Sequence, residues 1–200
     1  SIERSGFTYH LLITRNHGRD VLPFLKIMPE IIRSGEQLIL KLHTKKSKHR
    51  TDGDEWRKDL LEKLASVTAA ETALEFFRSS PSLGILGPDG HMIPISSHSG
   101  SNSYTIEKLS CRMGISPRQL NELQFFAGTM FYARVSALLP LIYLNLRDSD
   151  FEEEEGQVDG TIAHAIERAI TVSAKAAEME VRTFAESTSG EYKYVSSTFN

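Results

Sequence analysis

Short apolar blocks along this chain switch repeatedly between a period of two and a period near 3.6. YHLLIT (residues 9–14) is apolar and β-prone and ends in polar NHGRD, which predicts a strand and then a loop. VLPFLKIMPEIIRS, from residue 21, predicts a helix. Asp20 is placed to cap it, Pro23 is tolerated in its first turn, and Pro29 is expected to kink or shorten it. QLILKL (37–42) predicts a second strand that runs into a basic loop. EWRKDLLEKL spaces Trp56, Leu60, Leu61 and Leu64 as one face of an amphipathic helix. Thr68 and Glu71 form a capping-box pattern ahead of a helix ending near Phe77. SPSLGILGP reads as turn, buried strand and turn, and residues 88–102, rich in Gly, Ser, His and Pro, read as a long loop. YTIEKLSCRM and PRQLNEL are short helices, the second with Ser116 and Pro117 at its cap and first turn. FFAGTMFYARV is a β-prone run broken by Gly128, and QVDGTIAHAIERAITVSAKAAEMEV is the longest helical pattern. The tail EYKYVSSTFN adds an edge strand or stays loose.

Strands alternating with helices predict an α/β domain with a mainly parallel central sheet flanked by helices. No linker divides the chain, so residues 1–184 are expected to form one domain and 185–200 a tail. In such sheets ligands bind beyond the carboxyl ends of the strands. NHGRD and HTKKS are the polar clusters expected there.

Composition narrows the classes. With 40% hydrophobic residues the chain can build a core, yet no apolar run reaches the roughly 18 residues that span a bilayer. There is no signal-peptide pattern, and the single cysteine, Cys111, cannot form an internal disulfide. These features predict a protein of a reducing, cytoplasmic compartment. A net charge of -3 gives no reason to expect nucleic acid. The acidic run from Asp150 to Glu155 reads as a solvated loop.

Against that charge, KLHTKKSKHR (41–50) gathers five Lys or Arg and two His. Two like charges about 4 Å apart cost roughly 4 kcal/mol near a protein surface, so Lys41, Lys45, Lys46, Lys48 and Arg50 either fan into solvent or surround an anion such as a diphosphate. Arg19 offers a planar fork for phosphate, Gly18 a close backbone approach, and Asp20 a helix cap or an acceptor for a base or sugar. Asp52 and Asp54 are spaced either for a divalent cation or for an ordinary turn. Asp159 is either a cap for the long helix or a general base near the ligand edge, and Glu167 shares a face with His164. No HExxH, P-loop, GxGxxG or nucleophile elbow is present.

Taken together, NHGRDVLPFL, LKLHTKKSKH with the following Gly53 and WR, LGILGP, FFAGTMFYAR and QVDGTIAHAIER resemble, in this order, the rhamnan synthesis protein F family. The resemblance runs from about residue 9 to 182. It implies a glycosyltransferase of bacterial surface-polysaccharide assembly (rhamnan, O-antigen or lipopolysaccharide), often one module of a longer protein. The implied donor is a nucleotide sugar, dTDP-linked rhamnose or another deoxyhexose, and the implied acceptor is a glycan. It also implies a GT-A-like plan, in which QLILKL is the strand that normally ends in a metal-holding Asp-x-Asp. Here that place is taken by His43, Thr44, Lys45 and Lys46, so cationic charge is expected to replace the metal at the diphosphate. On this mapping Lys41, His43, Lys45 and Lys46, with Arg19 and Asp20, bind the donor, Gly128 and Thr129 shape the acceptor side, and Asp159 is the base of an inverting displacement. Few residues precede YHLLIT, so either the chain is a fragment or its nucleotide site is incomplete. A non-catalytic carbohydrate- or partner-binding module of an assembly protein is the alternative.

Overall fold

The computed structural model describes residues 9–44 and 52–185. Helix α1 (Val21–Arg33) leads to β1 (Leu38–Lys41), and then α2 (Gly53–Leu64) and α3 (Val67–Ser79) precede β2 (Leu83–Gly87). A short β3 (Met92–Pro94), helices α4 (Ser103–Arg112) and α5 (Pro117–Asn121), and β4 (Gln124–Phe126) follow. The last elements of the described residues are β5 (Phe131–Arg134), α6 (Val135–Ile142), α7 (Ile162–Ala176) and β6 (Glu180–Thr183). Among the described residues, no helix is long and apolar enough to cross a membrane.

The α/β class holds, but the sheet is mixed rather than mainly parallel. Its order is β1-β5-β2-β6, and β5 runs antiparallel to both neighbours while β2 and β6 are parallel. The reason lies in FFAGTMFYARV. This run is two strands in different sheets: β4 pairs with β3 in a separate two-stranded sheet, and the chain then turns at Gly128 and Thr129 into β5. Both turn residues have positive φ, +97° and 49°, and the turn delivers β5 into the main sheet from the opposite end. The pairing Lys41↔Phe131 thereby sets the start of β5 beside the end of β1. The carboxyl ends of β1, β2 and β6 share that edge.

Other expectations shift locally. YHLLIT forms no strand, and residues 88–102 contain β3. The helical pattern ending in EMEV breaks after Ala176, and its last residues begin β6. Helix α1 runs through Pro29 to Arg33. Helix α3 is capped not at Thr68 but at Ser66, whose hydroxyl accepts from Ala69 N–H at 3.0 Å. The Ser116 cap is as expected, reciprocated by Gln119. The tail from residue 186 lies outside the described residues.

Two cores sandwich the sheet. Alternation along β5 sends Phe131 and Ala133 into the core with α1, α6 and α7, and Tyr132 into the core with α2 and α3. Leu60, Leu64, Leu86 and Met130, all fully buried, fill the second core. Each such side chain contributes about 1.5–3 kcal/mol. Arg134 closes this core. Its guanidinium donates to the carbonyls of Leu83 (3.0 Å) and Phe77 (2.5 Å) and lies 5.3 Å from the Phe77 ring centre. Lysine cannot reproduce that fork, so Arg134→Lys is expected to lose about 1–2 kcal/mol, read as a lower urea midpoint at unchanged slope.

Candidate functional site

The shared strand edge gathers polar side chains from three separate segments. Lys41 is the last residue of β1 and is buried. Its ammonium donates to Asp20 Oδ2 at 2.5 Å, to the Thr129 carbonyl at 2.9 Å and to Thr129 Oγ1 at 3.3 Å, and it lies 5.4 Å from the Phe24 ring centre. Thr129 in turn donates its hydroxyl to Asp20 Oδ2 at 2.7 Å. Asp20 stands at the N-cap position of α1 yet does not cap it, because Lys41 and Thr129 take its carboxylate. Burial pushes the Asp20 carboxyl up, but the charges of Lys41 and His43 and the hydrogen bonds from Lys41 and Thr129 outweigh it and hold the group at about 2. Lys41 therefore serves here as the internal counterion of Asp20.

His43 lies two residues beyond. Its Nε2 donates to the Gly128 carbonyl at 2.7 Å. Gly128 is fixed from both sides: its N–H donates to Glu167 Oε1 at 2.9 Å, and a Cβ there would stand 2.7 Å from the Trp56 ring. Glu167 comes from the middle of α7. Sequence spacing pairs it with His164, but His164 instead accepts at Nδ1 from the Thr161 hydroxyl at 2.7 Å. A shared helix face did not imply a shared site.

Asp159 precedes α7 without capping it; Thr161 occupies the cap position. Its two oxygens accept from the Ser101 N–H at 2.9 Å and the Asn102 side chain at 2.5 Å, with the Arg168 guanidinium at 3.7 Å. Gly100 leaves it room, since a Cβ there would meet Asp159 Oδ2 at 2.1 Å. Arg168 also lies 3.5 Å from Glu167, so a chain of contacts joins Asp159 to the Gly128–His43 pair. Arg19, at φ 57°, is turned toward the acidic loop: its N–H donates to Glu154 Oε1 at 2.8 Å and its guanidinium to the Gln157 carbonyl. That loop is thus tied to NHGRD rather than solvated throughout.

The structure therefore brings together Asp20, Lys41, His43, Gly128 and Thr129, places Arg19 and Asp159 on loops bound to the cluster's flanks, and leaves Lys45 and Lys46 outside the described residues. A groove of about 640 Å³ opens beside Asp20 and Lys41, lined also by His10, Phe24, Ile39 and Leu42. A larger groove of about 960 Å³ lies at the opposite sheet edge, around Met113, Lys175 and Val181, and none of these site residues lines it. The described residues contain no group of three or more His, Cys, Asp or Glu able to hold a metal ion. Asp54 lies 3.9 Å from Arg57. Sequence reading also missed a second polar cluster, Asp59 with His91 (2.7 Å) and Lys63 (2.6 Å), which ties α2 to the loop after β2. The i,i+4 spacing of Asp59 and Lys63 was its one visible trace.

No solved structure matches the chain significantly. Two proteins of Xanthomonas campestris pv. campestris, from strains B100 and ATCC 33913, are each described as uncharacterized protein WxcX and are 41% identical to it over 167 residues. The match takes in 84% of this chain but 24% of theirs, so the chain spans about a quarter of the length of these curated relatives. The family model of rhamnan synthesis protein F matches residues 2–179, most of the chain, and the chain belongs to that family.

Proposed function

We propose that this domain transfers a sugar, rhamnose or a related deoxyhexose, from a nucleoside diphosphate to a growing surface polysaccharide, on a GT-A-like plan. Membership of a rhamnan synthesis family supports the pathway. The observation that carries the chemistry is the convergence of Asp20, Lys41, His43, Gly128 and Thr129 at one sheet edge, beside a groove. That edge holds the carboxyl ends of three strands, where open α/β sheets place their ligands. Lys41 and Asp20 neutralise each other, so they shape the floor rather than meet the phosphates. The cations for the leaving diphosphate are then Lys45 and Lys46, next in sequence, with Arg19 assisting. The reaction also needs a proton acceptor, and we assign that role to Asp159, just ahead of α7.

Calorimetry with dTDP tests the reading. Binding is expected to persist in EDTA, and the Lys45→Ala/Lys46→Ala double variant is expected to weaken it about tenfold or more, in line with the loss of charge-assisted contacts. A chain that binds glycan but no nucleotide would instead be a carbohydrate-binding module. The internal neutralisation of Lys41 favours that second reading.

A further inference from the structure

We propose that the face formed by residues 9–13 and the free edge of β1 rests on an anionic lipid bilayer, with Leu11 and Ile13 inserted at the headgroup level. This contact does not depend on the transfer reaction proposed above.

Local sequence makes this face apolar. YHLLI has the residues of a buried strand but forms none, so no sheet neighbour covers it. Leu11 and Ile13 are 77% and 84% exposed, and Tyr9 and Leu12 about half exposed. Strand β1 stands at the edge of the main sheet, paired only with β5. Alternation buries Lys41 and leaves Leu40 and Leu42 exposed on either side of it. Leu11, Leu12, Leu40 and Leu42 line one groove with Phe24 and Ile27, so they form a continuous surface rather than scattered side chains. A continuous exposed apolar surface marks a place of contact.

Charge selects the partner. The one acid lining the groove, Asp20, is neutralised by Lys41. Glu30, next to Ile31 on α1, is paired with Arg33 at 2.5 Å, and Glu36 precedes the opposite end of β1 from Leu42. Arg15, two residues past Ile13, is largely exposed, with its acidic neighbour Glu153 at 4.0 Å. Beyond Leu42 the sequence to Thr51 adds four Lys or Arg and no acid, in a chain of net charge -3. Anionic headgroups repel such a chain in every orientation but one that turns this side toward them. Exposed Leu and Ile bordered by basic sequence is the composition of an interfacial segment, which buries its apolar side chains about 5–10 Å into the headgroup boundary.

Co-sedimentation with vesicles decides it, using phosphatidylcholine alone and phosphatidylcholine with about one-third phosphatidylglycerol. The wild-type chain should bind the anionic vesicles at least about tenfold more strongly than the neutral ones. Leu11→Asp/Ile13→Asp should lose at least about tenfold of that binding, and the uncharged Leu11→Ser/Ile13→Ser about fivefold. Val67→Asp/Leu74→Asp adds the same charge at exposed apolar positions of α3 and should stay within about twofold of wild type. All four positions are exposed, so each variant should keep the wild-type Tm within about 3 °C. Wild type that ignores anionic vesicles, an equal loss in the two Asp variants, or full binding by the Ser variant would each overturn the insertion. Sedimentation velocity without lipid should show a monomer. A dimer that Leu11→Asp/Ile13→Asp dissolves would give this face to a second copy instead. A chain that binds dTDP but no vesicle keeps sugar transfer and loses the bilayer contact, and one that binds vesicles but no nucleotide does the reverse.

Discussion

Lys41→Met should destabilise the domain by about 3–5 kcal/mol at neutral pH, because it leaves Asp20 charged and buried with its counterion gone. The substitution preserves most of the apolar stem and removes the ammonium beside Phe24, so the loss is electrostatic rather than a cavity. The double variant Asp20→Leu/Lys41→Met removes both charges and should recover a large part of the deficit. It will not recover all of it, since the Thr129 carbonyl and hydroxyl lose their partners as well. The pH dependence has a definite sign. In the wild type Asp20 is held at about 2, below its ordinary 3.8. The stabilisation from this group, about 2 kcal/mol, is therefore complete above the ordinary value and is lost as pH falls from there through about 2. In Lys41→Met the burial that opposes the charge is no longer outweighed by Lys41, so Asp20 takes up its proton more readily and the deficit should narrow as the solution is acidified. Urea melts of the wild type and both variants at pH 7 and at pH 3.5 measure all of this. A deficit that stays constant with pH, and that the double variant does not relieve, would mean the contact acts through packing alone.

Gly128→Ala should lower stability by about 3 kcal/mol, of which left-handed strain supplies roughly 1–2 and overpacking the rest. The new methyl would stand 2.7 and 2.8 Å from two atoms of the Trp56 indole and 3.1 Å from Leu60 Cδ1. Neither neighbour yields easily: Trp56 is a flat ring in the second core, and Leu60 is fully buried. For a chain of this size, thermal denaturation should show a fall of about 6–12 °C in Tm. The only tryptophan of the chain reports the same event locally, as a change in its emission before any unfolding. Gly35→Ala supplies the control. Gly35 has φ +79°, also in the left-handed region, but no atom lies within 4 Å of its added methyl, so it carries the strain without the clash. If the two variants melt together, the indole does not pack against Gly128 as described.

Local sequence signals located six of the seven helices, strands β1 and β2, and the Ser116 cap, though not its return bond from Gln119, because these features are set by contacts a few residues apart. The sixth helix, Val135–Ile142, merged with the apolar run after β5 and had no cap of its own: Arg134 occupies the N-cap position without a capping bond. The short motifs from NHGRD to QVDGTIAHAIER were enough to place the chain in its family, since a motif order survives without knowledge of the fold. Strand direction was not readable. An apolar run such as FYAR looks the same whichever way it enters a sheet, and only the separate pairing of β3 with β4 turned β5 antiparallel. The last strand was hidden for a similar reason. EMEV continues a helical pattern locally and becomes β-structure only because β2 offers it an edge.

The site divides in the same way. Sequence singled out Asp20, Lys41, His43, Gly128 and Thr129 as chemically capable, and they do meet. Their roles were decided elsewhere. Lys41 belongs by sequence to a basic run, but its charge is taken up by Asp20, 21 residues earlier, and by Thr129, 88 residues later. Glu167 was assigned to His164 by helical spacing and serves Gly128 across 39 residues instead. Residue type and spacing determined which groups were available. The tertiary structure decided which of them face one another, because burial and long-range pairing, not neighbourhood along the chain, set the partner of a charge.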